Sequence, residues 1–287
     1  GDVLGVLPSA PAVLPAPAPP PPEPPAIAKT LFPVLGAAAT ASLRIGLSAI
    51  ILWAVYRPNL FKITRNQWRI VIPYGVSLGT MNLIFYLALE RIPIGLAVTL
   101  EFIGPLVVAV LGSKRLLDYL WVLLAAAGIL LIAPWSNDKI DLIGVVFALL
   151  AGALWATYII LGGKISKIMK SGEAVATGML FGTLVILPFG IIGNGFQSLT
   201  PTFFSLGLAL ALLSSAIPFT LEMKALGQLP ARTFSILMSL EPAVASICGL
   251  LFLHEYLAFN EVLAVLFVII ASVGSTITSR KVTPRID

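Results

Sequence analysis

Nine apolar runs, each about the length of a bilayer-crossing helix, alternate with short polar breaks along this chain of 287 residues. They cover roughly 37–56, 70–89, 93–113, 117–135, 141–163, 174–193, 203–222, 231–253 and 257–279. A bilayer core about 30 Å thick takes about 20 apolar residues of helix. The breaks carry the charges and prolines. Their shortness predicts antiparallel neighbours in a compact all-α integral membrane bundle.

The pattern repeats. Ala88-Leu89-Glu90-Arg91-Ile92-Pro93 returns as Ala225-Leu226-Gly227-Gln228-Leu229-Pro230. Pro105 returns as Pro242, Gly112 as Gly249 and Asp118-Tyr119 as Glu255-Tyr256, always 137 positions on. Paired halves in a membrane chain are the mark of a transporter with its site between them. The division this predicts is a first repeat over 26–136, a second over 137–281 and a short tail over 282–287.

Lysine and arginine then set the orientation. Alternate loops hold Arg57, Lys62, Arg65 and Arg69, then Lys114 and Arg115, then Lys164, Lys167 and Lys170, then Lys224 and Arg232, then Arg280, Lys281 and Arg285. The loops between them are neutral or acidic. The basic side is expected to be cytoplasmic, with the C-terminus on it. Lys114 and Arg115 are then cytoplasmic, and their offset partners Leu251 and Phe252 lie at the opposite face. The halves are therefore expected to be inverted, with five spans each and ten in total.

The tenth span would fall at 4–26, the offset partner of 141–163. That stretch contains Pro19 to Pro22, Pro24 and Pro25. Each proline ring removes a donor and clashes with the preceding turn, so polyproline II or disorder is expected over 1–25. Either the segment is foreign or aberrant and replaces a helix, or it is a native outer tail on nine spans.

Composition narrows the class. The chain is 58% hydrophobic and 11% charged, against about 25% charge in an ordinary soluble domain. The net charge of +5 sits in short loops with no aromatic-interleaved basic patch, which speaks against nucleic acid. One cysteine, Cys248, and one histidine, His254, exclude the usual zinc sets and a Ser–His–Asp triad. There is no Walker A loop and no dinucleotide fingerprint, so no cofactor or metal is expected.

Ionisable groups inside spans are costly and mark function by default. Glu101 stands near the middle of 93–113. Pro105 cannot donate to the Glu101 carbonyl, so a carboxyl group and a freed carbonyl share one turn beside Gly104. Such a kink can bind a cation, a proton or an ammonium group. Glu241 precedes Pro242, which frees the carbonyl of Met238, the offset partner of Glu101. Arg44 either binds a substrate carboxylate or pairs with a glutamate. Asn82 and Tyr86 share one helix face and Trp155 and Tyr158 another; each pair either lines a cavity or serves helix packing and the interfacial belt. Ser239 and Ser235 aid packing. Glu222 and Lys224 read as snorkelling groups near a helix end.

Three blocks carry a family resemblance: Gly75-Val76-Ser77-Leu78-Gly79-Thr80-Met81-Asn82, Leu100-Glu101-Phe102-Ile103-Gly104-Pro105-Leu106, and Thr233-Phe234-Ser235-Ile236-Leu237-Met238-Ser239-Leu240-Glu241-Pro242-Ala243. They resemble the drug/metabolite transporter superfamily, and within it the bacterial inner-membrane threonine/homoserine exporters of the EamA type. The likeness runs from about Ala26 to Lys281, and Lys29-Thr30-Leu31-Phe32-Pro33 matches the end of that family's first helix. The resemblance implies ten helices in two inverted five-helix repeats and alternating access around a central cavity. The expected role is secondary-active export of small amino acids, driven by protons, with no enzymatic step. On this reading Glu101, Arg44, Asn82, Tyr86, Trp155, Tyr158, Met238, Ser239 and Glu241 surround the substrate. Export of another metabolite, such as an aromatic amino acid, is the alternative, followed by a membrane enzyme or a non-transporting scaffold.

Overall fold

The computed structural model describes residues 24–92, 94–113, 115–132, 141–238, 240 and 259–280, and every regular element in them is helical. In chain order these are α1 (Pro24–Tyr56), α2 (Arg65–Leu89), α3 (Ile94–Glu101), α4 (Ile103–Leu111), α5 (Leu116–Ile132), α6 (Leu142–Ile165), α7 (Ser171–Ile192), α8 (Pro201–Ala211), α9 (Ile217–Gln228), α10 (Ala231–Met238) and α11 (Phe259–Arg280). A π-turn over Leu212–Ala216 joins α8 to α9. Among the described residues, five stretches are long and apolar enough to cross a membrane: Leu31–Tyr56, Arg65–Leu89, Leu142–Ile165, Ser171–Ile192 and Pro201–Gln228.

α1 begins with Pro24 and Pro25, a first-turn position where a missing N–H costs nothing. It breaks at Gly36, whose φ of 75° is open to glycine and strained for other residues. The Glu90 carboxylate accepts the Ala37 N–H at 2.8 Å and so caps the helical run that resumes after the break. The predicted span 93–113 is interrupted at Phe102, between α3 and α4. The predicted span 203–222 runs further, to Gln228, and the Glu222 carboxylate within it accepts from Tyr158. Glu241 and Ser239 lie outside the described residues, as does the proline-rich stretch up to residue 23.

α2 packs along α6 and α7, α1 along α7 and α8, α5 along α11, and α10 along α4. Glycine sets the closest approach. A methyl on Gly75 would fall on the Gly178 backbone, and one on Gly79 would lie 2.5 Å from the Gly182 backbone. The two i, i+4 glycine pairs thus interlock α2 with α7.

Two ion pairs tie early elements to late ones. Arg232 at the start of α10 pairs with the buried Asp118 of α5. At the N-terminus of α6, Asp141 pairs with Arg91 at 3.0 Å and accepts the Ile143 N–H at 2.8 Å. The Arg91 guanidinium, then the Ile143 amide, hold the Asp141 carboxyl below its usual range.

Gly75→Val is expected to lower thermal stability in detergent by about 1–3 kcal/mol, the usual cost of forcing bulk into a filled contact. Gly163→Val, where no atom lies within 4 Å of the new carbon, is expected to leave it unchanged. An equal loss in both would discard the interlock. For Asp141 the sign follows from its lowered pKa. Its stabilisation is complete above its unfolded value near 3.8 and disappears as pH falls through the lower folded value. Melting curves of Asp141→Asn should therefore lack that part of the acid limb.

Candidate functional site

Three polar clusters lie inside the helical bundle, and each forms where a span is broken or a helix runs unusually close to another. The first surrounds Arg44. This side chain is buried, with 8% of its surface exposed. Its Nη1 donates to Ser214 Oγ at 3.3 Å, and its guanidinium lies 4.9 Å from the centre of the Tyr86 ring. Its Nε is buried and makes no hydrogen bond. Tyr86 in turn packs on Phe32 at 5.3 Å. Asn82, one turn before Tyr86 on the same face of α2, donates to its own helix at the Leu78 carbonyl, 2.7 Å away.

Ser214 belongs to the π-turn. Pro218 cannot donate to the carbonyl four residues back, which is that of Ser214, and the helix widens there. Hydroxyls take up neighbouring carbonyls: Ser214 donates to Leu210 at 2.7 Å, Ser48 of α1 to Ala211 at 2.9 Å and Thr220 to Ala216 at 2.7 Å. Ser215 is fully buried and its hydroxyl has no partner. Arginine beside an opened helix turn, with one N–H unspent, is suited to a carboxylate.

The second cluster is the break between α3 and α4. Glu101 is the last residue of α3 and is 9% exposed. Gly152 of α6 lies against it so closely that an added methyl would stand 2.6 Å from the Glu101 carbonyl oxygen. Gly104 meets the Gly152 backbone in the same way. Phe102 packs edge-on against Trp155 at 5.0 Å. Met238, at the end of α10, is half-buried against the same core.

The third cluster was not expected. Tyr158 donates to Glu222 Oε2 at 3.0 Å and stacks on Tyr74 with ring centres 5.1 Å apart. Glu222, expected as a snorkelling group, is half-buried and bonded to a buried phenol about two turns before the end of α9. The signal was available: Gly162 and Tyr158 are one turn apart on α6, leaving room for rings from neighbouring helices. Tyr158 and Trp155 share a face as expected, but they serve different clusters. An open apolar groove of about 580 Å³ between α1 and α7, lined by Gly46, Leu47, Trp53, Leu180 and Thr183 among others, lies apart from these clusters.

Comparison with known proteins decides the family. The family model described as the EamA-like transporter family matches residues 142–277. The threonine/homoserine exporter RhtA of Escherichia coli (strain K12) is 44% identical over 258 residues, covering 89% of this chain and 87% of that one. The chain belongs to the EamA-like transporters. The threonine/homoserine exporter RhtA of Salmonella typhimurium (strain LT2) is 43% identical over the same shares. The uncharacterized transporter YwfM of Bacillus subtilis (strain 168) is 28% identical, covering 81% of this chain and 73% of that one. A solved crystal structure superposes with a TM-score of 0.71 over 89% of this chain and 93% of the other, at 14% identity, which speaks for the fold alone. The EamA-like chain is thus a multi-pass membrane transporter and not an enzyme.

Stability separates two roles for Arg44. A guanidinium held for a visiting carboxylate is an uncompensated buried charge in the empty protein. Arg44→Gln should then leave the melting temperature in detergent unchanged or raised. A loss of about 3–5 kcal/mol would instead make Arg44 the structural partner of a buried carboxylate.

Proposed function

We propose that this transporter exports small amino acids of the threonine and homoserine kind across the bacterial inner membrane, by secondary-active alternating access driven by protons. The observation that carries the reading is the buried Arg44 with an unspent Nε, in a chain 44% identical to a threonine/homoserine exporter. An amino acid presents a carboxylate, an ammonium group and a short polar side chain. Arg44 and the π-turn hydroxyls meet the carboxylate. Glu101 meets the ammonium group, and the freed carbonyls at its break add acceptors. Asn82 and Tyr86 flank the arginine side; Trp155 and Met238 flank the other.

The helices are read as two inverted five-helix repeats, ten in all. Packing supports this. The second run of α1 lies on α7, the span of α3 and α4 on α10, and α5 on α11. Each of these pairs is related by the 137-residue offset, as a two-fold axis between the halves would require. Contacts between α2 and α7 likewise have their counterpart in those of α1 with α8 and the π-turn. The basic loops, with the C-terminus, face the cytoplasm. The halves then rock about the Arg44 and Glu101 clusters.

Counterflow of labelled threonine and homoserine in proteoliposomes tests this. Uptake above that of protein-free vesicles is expected, with unlabelled homoserine competing. Losing the Arg44 contact should cost about 1.5–3 kcal/mol of substrate binding, so Arg44→Gln should raise KM roughly 10- to 100-fold. Competition only by aromatic amino acids would move the substrate class. No counterflow of either substrate would discard the amino-acid reading.

A further inference from the structure

Glu222 stands about two turns before the end of α9, inside the membrane-spanning path 201–228. A carboxyl group there must be held by other polar groups. Its partner is the Tyr158 hydroxyl, 3.0 Å from Oε2, on a residue with no exposed surface. Phe219, one turn earlier on α9, meets the Tyr158 ring edge-on at 5.7 Å and closes one side. Tyr74 closes the other, stacked on Tyr158. The Tyr74 ring is itself wedged between two glycines. A methyl on Gly178 of α7 would fall 2.5 Å from it, and one on Gly162 of α6 would fall 3.5 Å away.

The Tyr74 hydroxyl is buried beside the Tyr158 hydroxyl, without a well-formed hydrogen bond between them. Phenylalanine would fill the same wedge without a buried orphan donor, and packing alone gives no reason for the oxygen. The phenol therefore points to a change of hydrogen bonding during the working cycle. Two phenols and one carboxyl group, on three different helices, make a compact set of exchangeable protons. Among the described residues, Tyr158 from α6 and Tyr74 from α2 are titratable groups beside Glu222. α7 presents Gly178 to the Tyr74 ring, Lys224 on α9 is exposed, and Arg232 at the start of α10 is held by Asp118.

We propose that Glu222, Tyr158 and Tyr74 form the site that carries the coupling proton, with Glu222 as the group that takes it up and releases it; this rests on the proton-driven export reading above. In the deprotonated site Tyr158 donates its O–H to the carboxylate. One proton from solution then binds a carboxylate oxygen and gives Glu222 an O–H of its own. Tyr158 is no longer required as donor to that carboxylate and can turn its hydroxyl toward the Tyr74 oxygen. When the same proton leaves, Tyr158 returns to the carboxylate. The cycle changes which of α2, α6 and α9 are bonded together. Glu101 and Arg44 hold the amino acid, and the proton has its own seat nearer the Lys- and Arg-rich loops.

Infrared difference spectroscopy of the purified full chain in lipid, without substrate, reads this directly. A protonated-carboxyl band that grows as pH falls is expected in the parent protein. It should be lost in Glu222→Gln, and its midpoint should shift in Tyr158→Phe, which keeps the ring and removes only the hydroxyl. Spectra of Glu222→Gln identical to those of the parent would overturn the proposal. So would a Glu222 band that answers sodium at fixed pH and ignores pH, or one unmoved by Tyr158→Phe. In proteoliposomes, Glu222→Gln is expected to lose uptake driven by a pH gradient; uptake driven as in the parent would count against the site. Absence of threonine and homoserine counterflow in the parent would discard the substrate reading alone, since the infrared band needs no substrate.

Discussion

A backbone carbonyl that loses its helical donor inside a bilayer must find another, because there is no water to supply one. This constraint organises the molecule. Among the described spans, the chain departs from regular helix at Gly36, at Phe102 and over Leu212–Ala216. At two of these places polar side chains lie ready to take up backbone groups. Glu90 accepts the amide that follows Gly36. Ser48, Ser214 and Thr220 donate to carbonyls around the π-turn. Once those groups are assembled, a guanidinium can be held among them by a hydroxyl and an aromatic face instead of a second charge. The break comes first, and the polar cluster follows from it.

Close approach is the second requirement, and it is met by the absence of side chains. The Gly75 and Gly79 pair against Gly178 and Gly182 brings α2 onto α7. The same closeness admits the Tyr74 ring between Gly162 and Gly178. Gly152 against Glu101 and Gly104 presses α6 onto the break between α3 and α4. With no hydrophobic drive between helices in lipid, such contacts carry the association by packing. The polar clusters are thus positioned by backbone-to-backbone contact, which tolerates little added volume.

The sequence disclosed the helical class and the transporter family through apolar run length, the 137-residue repeat and three motif blocks. Glu101 beside a break was legible from Pro105. Arg44 was visible as a charge inside a span, but its partner was not, because Ser214 lies 170 positions away. Pro218 was the readable trace of the opened turn, and its consequence depends on Ser48 from another helix. The partner of Glu222 was not legible for a physical reason. A charge near an apparent helix end reads as solvated, and only tertiary contact shows that α9 continues past it with Tyr158 waiting. Trp155 and Tyr158 share a helix face, yet their partners come from different helices, which periodicity on one strand of sequence cannot resolve.

α6 contributes contacts to both the Glu101 and the Glu222 clusters. Gly152 touches the Glu101 carbonyl, Trp155 packs on the next residue, Phe102, and Tyr158 holds Glu222 less than two turns from Gly152. A regular helix is stiff over that length, so Tyr158 cannot exchange partners without bearing on the contact at Gly152. Any displacement of α6 must be shared with α2, whose Tyr74 is wedged against Gly162 and whose glycines are locked to α7. Arg44 joins the same circuit through Tyr86 of α2. On the proposed proton-driven reading, proton and amino acid need no contact with each other to be coupled. They need only bias, from opposite ends, the position of one helix whose small residues leave it few alternative places to stand.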